Sequence, residues 1–136
     1  MGGATNLSEL LGKMNPILQE GKYVFVSVEG PPAIDFSDVL GTFKESEGTT
    51  LILEKKKADE LQLNYDYIAS WISLSVHSSL EAVGLTAAIS RVLAEQDISC
   101  NVVAAYYHDH IFVPKKDAEK ALKALIAITN PDKDHT

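Results

Sequence analysis

The stretch IASWISLSVHSSLEAVGLTAAISRVLAEQ, residues 68–96, sets two periodicities side by side. From Ile68 to His77, Ile68, Ile72, Leu74 and Val76 share one parity while Trp71, Ser73, Ser75 and His77 share the other, as in a strand with one buried face. From Gly84 to Gln96, Leu85, Ala88, Ile89, Val92 and Leu93 recur at i, i+3, i+4, i+7 and i+8, which gathers them on one stripe of a helix. Ser78 to Val83 reads as the loop between them. A strand feeding a helix that is apolar on one side only predicts that the helix packs flat against a sheet.

Downstream, Ile98 to Tyr107 is rich in β-formers, and an extended run resumes from His110 to Val113. His108-Asp109 between them suits the positive-φ positions of a two-residue turn, so a hairpin is expected. Asp117 is placed to cap a last helix, with Ala118, Ala121, Leu122 and Leu125 inward and Glu119 paired to Lys123 outside. The order β, α, β, β, α with one-sided helices predicts an α+β, ferredoxin-like (βαββα) unit, an antiparallel sheet with its helices on one face.

Upstream the same order is legible in weaker form. Lys22 to Val28 alternates with Val24, Val26 and Val28 on one side, and Gly30-Pro31-Pro32 breaks the run. Gly41 to Glu45 and Thr49 to Glu54 flank Ser46-Glu47-Gly48, a predicted hairpin, and Lys55 to Leu63 reads as a short helix. The first helix of this half is shrunken to the irregular stretch Pro31 to Val39, which makes the whole a degenerate tandem repeat. Asn6 with Glu9 resembles a capping box for a leading helix carrying Leu7, Leu10, Leu11 and Met14 and ending before Pro16. The expected organisation is a first half with leading helix over 1–66, a second half over 67–130 and a flexible tail over 131–136.

Composition limits the function classes. The chain has 136 residues, 46% hydrophobic and 23% charged, which suits an ordinary globular protein. A formal net charge of -7 repels phosphate backbones and anionic lipid, so neither nucleic acid nor membrane is an expected partner. Lys55-Lys56-Lys57 reads as a solvated helix start. Cys100 is the sole cysteine, which rules out an intrachain disulfide and suits a reducing compartment. With neither an export-type leader nor an apolar run of membrane-spanning length, the expected location is the cytoplasm.

Catalytic signals are sparse. There is no Gly-x-Ser-x-Gly elbow and no glycine-rich phosphate loop, and Asp35 with Asp38 or Glu45 with Glu47 read as acidic surface. Trp71, Tyr106 and Tyr107 read as sheet-packing residues. His108 and His110, joined by His77, form a conceivable metal set, since i and i+2 side chains of a strand share a face. A turn at His108-Asp109 breaks that parity, so no metal and no cofactor are expected and the chain is read as a non-enzyme.

The strings WISLSVHSSLEAVGLTA (71–87) and ISCNVVAAYYHDHIFVP (98–114), with ESEGTTL (45–51) as a first-half counterpart, resemble the ACT domain family. Within it they are similar to small bacterial proteins with two ACT-like halves that are related to the arginine-sensing CASTOR proteins. The resemblance implies a regulatory module that binds an amino acid or similar small ligand between two such units, near the loop after the first strand and the start of the first helix. Carried onto this sequence, the site comprises Ser78, Ser79, Glu81, Val83, Gly84, Leu85 and Thr86, with His108 and Asp109 nearby. The amides opening the Gly84 helix suit a carboxylate, Ser78 and Ser79 supply hydroxyls, and Glu81 or Asp109 suits an ammonium group. Ser78 with Glu81 also fits a capping box, a reading compatible with ligand contact.

The expected function is therefore a small-molecule-binding regulatory module, acting as a homodimer on a separate effector protein. An interaction scaffold that keeps the fold without a ligand is the alternative, and a metal-dependent enzyme using His108 and His110 comes third.

Overall fold

The computed structural model describes residues 11–75 and 84–129. They fall into two compact units, one spanning Glu20–Ser70 and the other joining the described residues up to Gln19 to those from Trp71 onward.

In the first unit, β2 (Tyr23–Val28) pairs antiparallel along its whole length with β4 (Thr49–Glu54), in the register Tyr23↔Glu54 to Val28↔Thr49. β3 (Gly41–Lys44) flanks β4, and the start of β5 (Ile68–Ser75) flanks β2 through Tyr23↔Ala69 and Val24↔Ile68. The alternation in β2 is realised, with Val24 and Val26 buried against Leu51 and Leu53 of β4. Ala58 of the short helix α1 (Lys55–Glu60) completes this core.

The β3–β4 turn closes with the Glu45 N–H donating to the Gly48 carbonyl at 2.9 Å. Gly48 stands at φ +155°, and a Cβ there would lie 2.6 Å from the Val28 carbonyl oxygen. Only glycine lets the hairpin tip come that close to the end of β2. Where the second half has a long helix, this unit has a 3-10 turn at Phe36–Asp38, held by Asp35 accepting from the Ser37 N–H at 3.0 Å.

The second unit contains β1 (Pro16–Leu18), the rest of β5, β6 (Asn101–Ala104) and β7 (His108–Pro114), in the order β1-β5-β7-β6. Two helices, α2 (Leu85–Glu95) and α3 (Ala118–Thr129), supply the other layer. Ile72 and Leu74 of β5, Leu85, Ile89 and Leu93 of α2, Ile111 and Val113 of β7, and Ala121 and Leu125 of α3 form one core. The stripes read from the sequence are thus the buried faces. Cys100 is half-buried against this core.

Three local expectations are amended. The leading segment builds on the second half, because Met14 is 3% exposed in that core and β1 pairs with β5 from Pro16↔Leu74 to Leu18↔Ile72. The second hairpin turns at Ala105 to Tyr107, closed by the Ala105 N–H donating to the His108 carbonyl at 3.0 Å, so His108 and Asp109 lie inside β7. The last helix is entered through a 3-10 turn, Lys115–Asp117, that runs straight into α3. The early part of the leading helix and the tail lie outside the described residues.

Candidate functional site

Gly84 is the N-cap of α2, with φ +90° in the left-handed region. A residue with a Cβ would be strained there, and glycine has no side chain to cap the helix amides. The Ala88 N–H closes the first helical bond onto the Gly84 carbonyl at 3.0 Å, and no acidic residue stands in the first turn. Those amides therefore present partial positive charge that no side chain of that turn neutralises. Leu85 points into the core at 4% exposure, so its side chain serves packing and its N–H the helix mouth, while Thr86 is exposed. The expected contacts Ser78, Ser79, Glu81 and Val83 lie outside the described residues.

His108 and Asp109 cannot act side by side. As neighbours in a strand they face opposite ways: His108 is exposed, whereas Asp109 is 7% exposed. Burial pushes the Asp109 carboxyl above its ordinary pKa.

His108 does share a face with His110, their ring centroids 6.2 Å apart. The Trp71 indole N–H donates to His110 Nδ1 at 3.0 Å, which requires that nitrogen to be unprotonated. Trp71 also stacks on Phe112, with centroids 6.4 Å apart. Burial, and secondarily the neighbouring His108, pull the His110 pKa down. Among the described residues, no three histidine, cysteine, aspartate or glutamate side chains come together as a metal-binding group.

Sequence reasoning did not find a concavity of the first half. It lies wholly within the first unit, a cleft of about 560 Å³ between the Gly30-Pro31-Pro32 loop, Phe36 and the β3–β4 hairpin tip. The Thr49 hydroxyl donates to the Gly30 carbonyl at 3.3 Å and Gly48 rests on the end of β2, which ties the hairpin tip to the loop. Lys44, Glu45 and Glu47 bring charge to the rim, and the Thr50 hydroxyl holds Glu45. On the other side of Pro31 and Pro32, a second, apolar cavity of about 330 Å³ is lined by Ile34, Leu51, Leu61 and Leu63. The only sequence sign of these spaces is the missing helix between Pro31 and Val39. No described helix is long and apolar enough to cross a membrane.

A family described as ACT domain matches residues 2–70, and a second ACT domain family matches residues 67–127. No curated protein matches the chain. Among solved structures, the chain is similar to a Vibrio cholerae protein described as of unknown function and a possible transport protein, at 47% identity and a TM-score of 0.81, covering 95% of this chain and all of that one. A protein from Agrobacterium tumefaciens shares the fold at 15% identity and a TM-score of 0.64, over 85% of this chain and 89% of that one. So does the ligand-free regulatory subunit of aspartate kinase from Thermus thermophilus, at 12% identity and a TM-score of 0.58, over 81% and 92%. Matched along both halves and built as two α+β units, the chain belongs to the ACT domain family, whose members are commonly ligand-binding regulatory modules.

Proposed function

We propose that this chain is a cytoplasmic regulatory module that binds an amino acid and acts on a separate effector protein. One observation carries the reading: Gly84, fixed in the left-handed region at the mouth of α2, leaves the first-turn amides without a capping side chain in the loop where a carboxylate would be held. Ser78, Ser79 and Glu81 are assigned the remaining polar contacts and Thr86 the rim. In this reading the chain works as a homodimer, and its own residues bind rather than transform the ligand. A thermal-melt screen against the common amino acids tests it. A ligand present at 100 times its Kd should stabilise the native state by about 2.7 kcal/mol. Ser79→Ala and Glu81→Lys should shrink the response, and a melt that no amino acid moves would sink the reading.

A scaffold role is the second reading, favoured by the β6–β7 hairpin. Tyr106 and Tyr107 are 77% and 74% exposed at its tip, Val103 is exposed on β6, and β6 is the last strand on that side of the sheet among the described residues. Exposed aromatics beside an open strand edge suit contact with another chain. Self-association that survives saturation with every amino acid and is lost in Tyr106→Ser would favour it.

A further inference from the structure

We propose that the outer face of the second unit's sheet, the side away from α2 and α3, is a contact surface for a second copy of this chain, closed at neutral pH and released by acid. This surface rests on the homodimer proposed above but not on its ligand. Strand parity and pairing define the face. With Ile72, Leu74, Ile111 and Val113 turned into the core, Trp71 and Ser73 of β5 and His108 and His110 of β7 look the other way. Ile17 of β1 pairs with Ser73 on one side and Val103 of β6 pairs with His110 on the other, 45% and 41% exposed.

Charge decides the occupant. Of the whole chain 23% is charged and the net charge is -7, so two copies repel one another at long range. Yet the outward positions of β1, β5, β6 and β7 described for this unit hold no lysine, arginine, aspartate or glutamate. A basic partner finds no carboxylate there, whereas a copy of this acidic chain finds no like charge. The face is also self-complementary: a two-fold axis running along the strands lays Ile17 of each copy against Val103 of the other, with the Trp71–His110 pairs meeting in the middle. His110 adds a directional need. Its Nδ1 accepts from the Trp71 indole N–H, so Nε2 carries the proton, and that donor has no acceptor among the described residues.

Release by acid follows from the same side chains. His108 and His110 are the only titratable groups at the described outward positions, and those beside His110 are Trp71, Val103 and His108, none of them acidic. Protonation therefore brings positive charge from both copies into a contact otherwise free of it.

Sedimentation velocity on the full-length protein is the test. A dimer is expected at about pH 8, with its Kd raised about tenfold or more at about pH 5.5. Ile17→Lys and Val103→Lys should each split the dimer at the higher pH and keep the parent's circular dichroism, since both side chains are partly exposed in the single chain. His108→Gln combined with His110→Gln should keep the dimer and remove the acid response. Tyr106→Ser, which would split a dimer joined through the β6 edge, should leave this one intact. A monomer at every concentration, a dimer indifferent to Ile17→Lys or to acid, or one split by Tyr106→Ser overturns the proposal. A melt shift with an amino acid in a monomeric protein would sink this surface and leave the ligand standing, and a dimer without any such shift would do the reverse.

Discussion

The two halves of the chain run through one order of elements, yet they differ at the step after the first strand. The second half places the eleven-residue α2 there, and Leu85, Ile89 and Leu93 close the core from above. At the same step the first half has only the three-residue turn Phe36–Asp38, which buries nothing. A helix covers a sheet face with a continuous stripe of side chains, whereas a proline-rich loop covers it in patches. Two cavities border Pro31 and Pro32 in that stretch. A shortened repeat thus leaves open space beside the sheet where its counterpart is packed.

The sharpest way to break that contrast is to cut into each core. Ile89→Ala in the second half should cost about 4 kcal/mol, since the void it leaves is closed on every side by packed groups. Leu51→Ala should cost about 2 kcal/mol, because Leu51 already borders the cavity of about 330 Å³ and its surroundings have room to relax. Urea unfolding reads both, and equal losses would mean that the first half is as tightly built as the second.

Gly48→Ala probes the hairpin that frames the cleft. The added methyl meets the Val28 carbonyl at 2.6 Å from a strained backbone angle, so a loss of about 1–3 kcal/mol is expected. Hydrogen exchange should quicken in β4 and stay unchanged in α2. Protection lost equally in α2 would mean that the two halves open as one.

The smallest expected effect is a histidine-linked pH dependence that belongs to the second half, since no histidine occurs between Glu20 and Ser70. The folded pKa of His110 lies below its ordinary value of 6.5, so the native state holds fewer protons than the unfolded chain. Its contribution is complete above pH 6.5 and is lost as pH falls through that value toward the depressed one. Protonation also ends the acceptor role of Nδ1 toward Trp71. The melting temperature should therefore sag on acidification, the fluorescence of the sole tryptophan should change with it, and His110→Gln should flatten both. Asp109 acts with the opposite sign, its raised pKa favouring the folded state as pH drops, so the difference between the parent and His110→Gln isolates the imidazole's share.

Much of this architecture is legible in the sequence because its signals are periodic. Val24 and Val26 in β2, Ile72 and Leu74 in β5, and the Leu85-Ile89-Leu93 stripe all turn inward as their spacing requires. Strand β1 was illegible, since three residues cannot establish a period of two, although a proline is tolerated as the first residue of a strand. The β6–β7 turn was misplaced because Tyr106 and Tyr107 are strong β-formers that here sit exposed at the tip, ring to ring at 4.8 Å. Counting parity back from the inward Ile111 and Val113 would have put Asp109 inside. The cleft was out of reach, because it arises from Gly48 meeting the end of β2, a contact between residues far apart along the chain.

Half-buried against the second core, Cys100 has a thiol whose pKa is pushed up by burial, so little thiolate stands ready at neutral pH. A thiol-specific reagent should therefore modify it chiefly when β6 and its surroundings loosen. As the chain's lone sulfhydryl, Cys100 is a built-in clock: the pace of its alkylation, with and without a candidate effector, would time the breathing of one half without any introduced label.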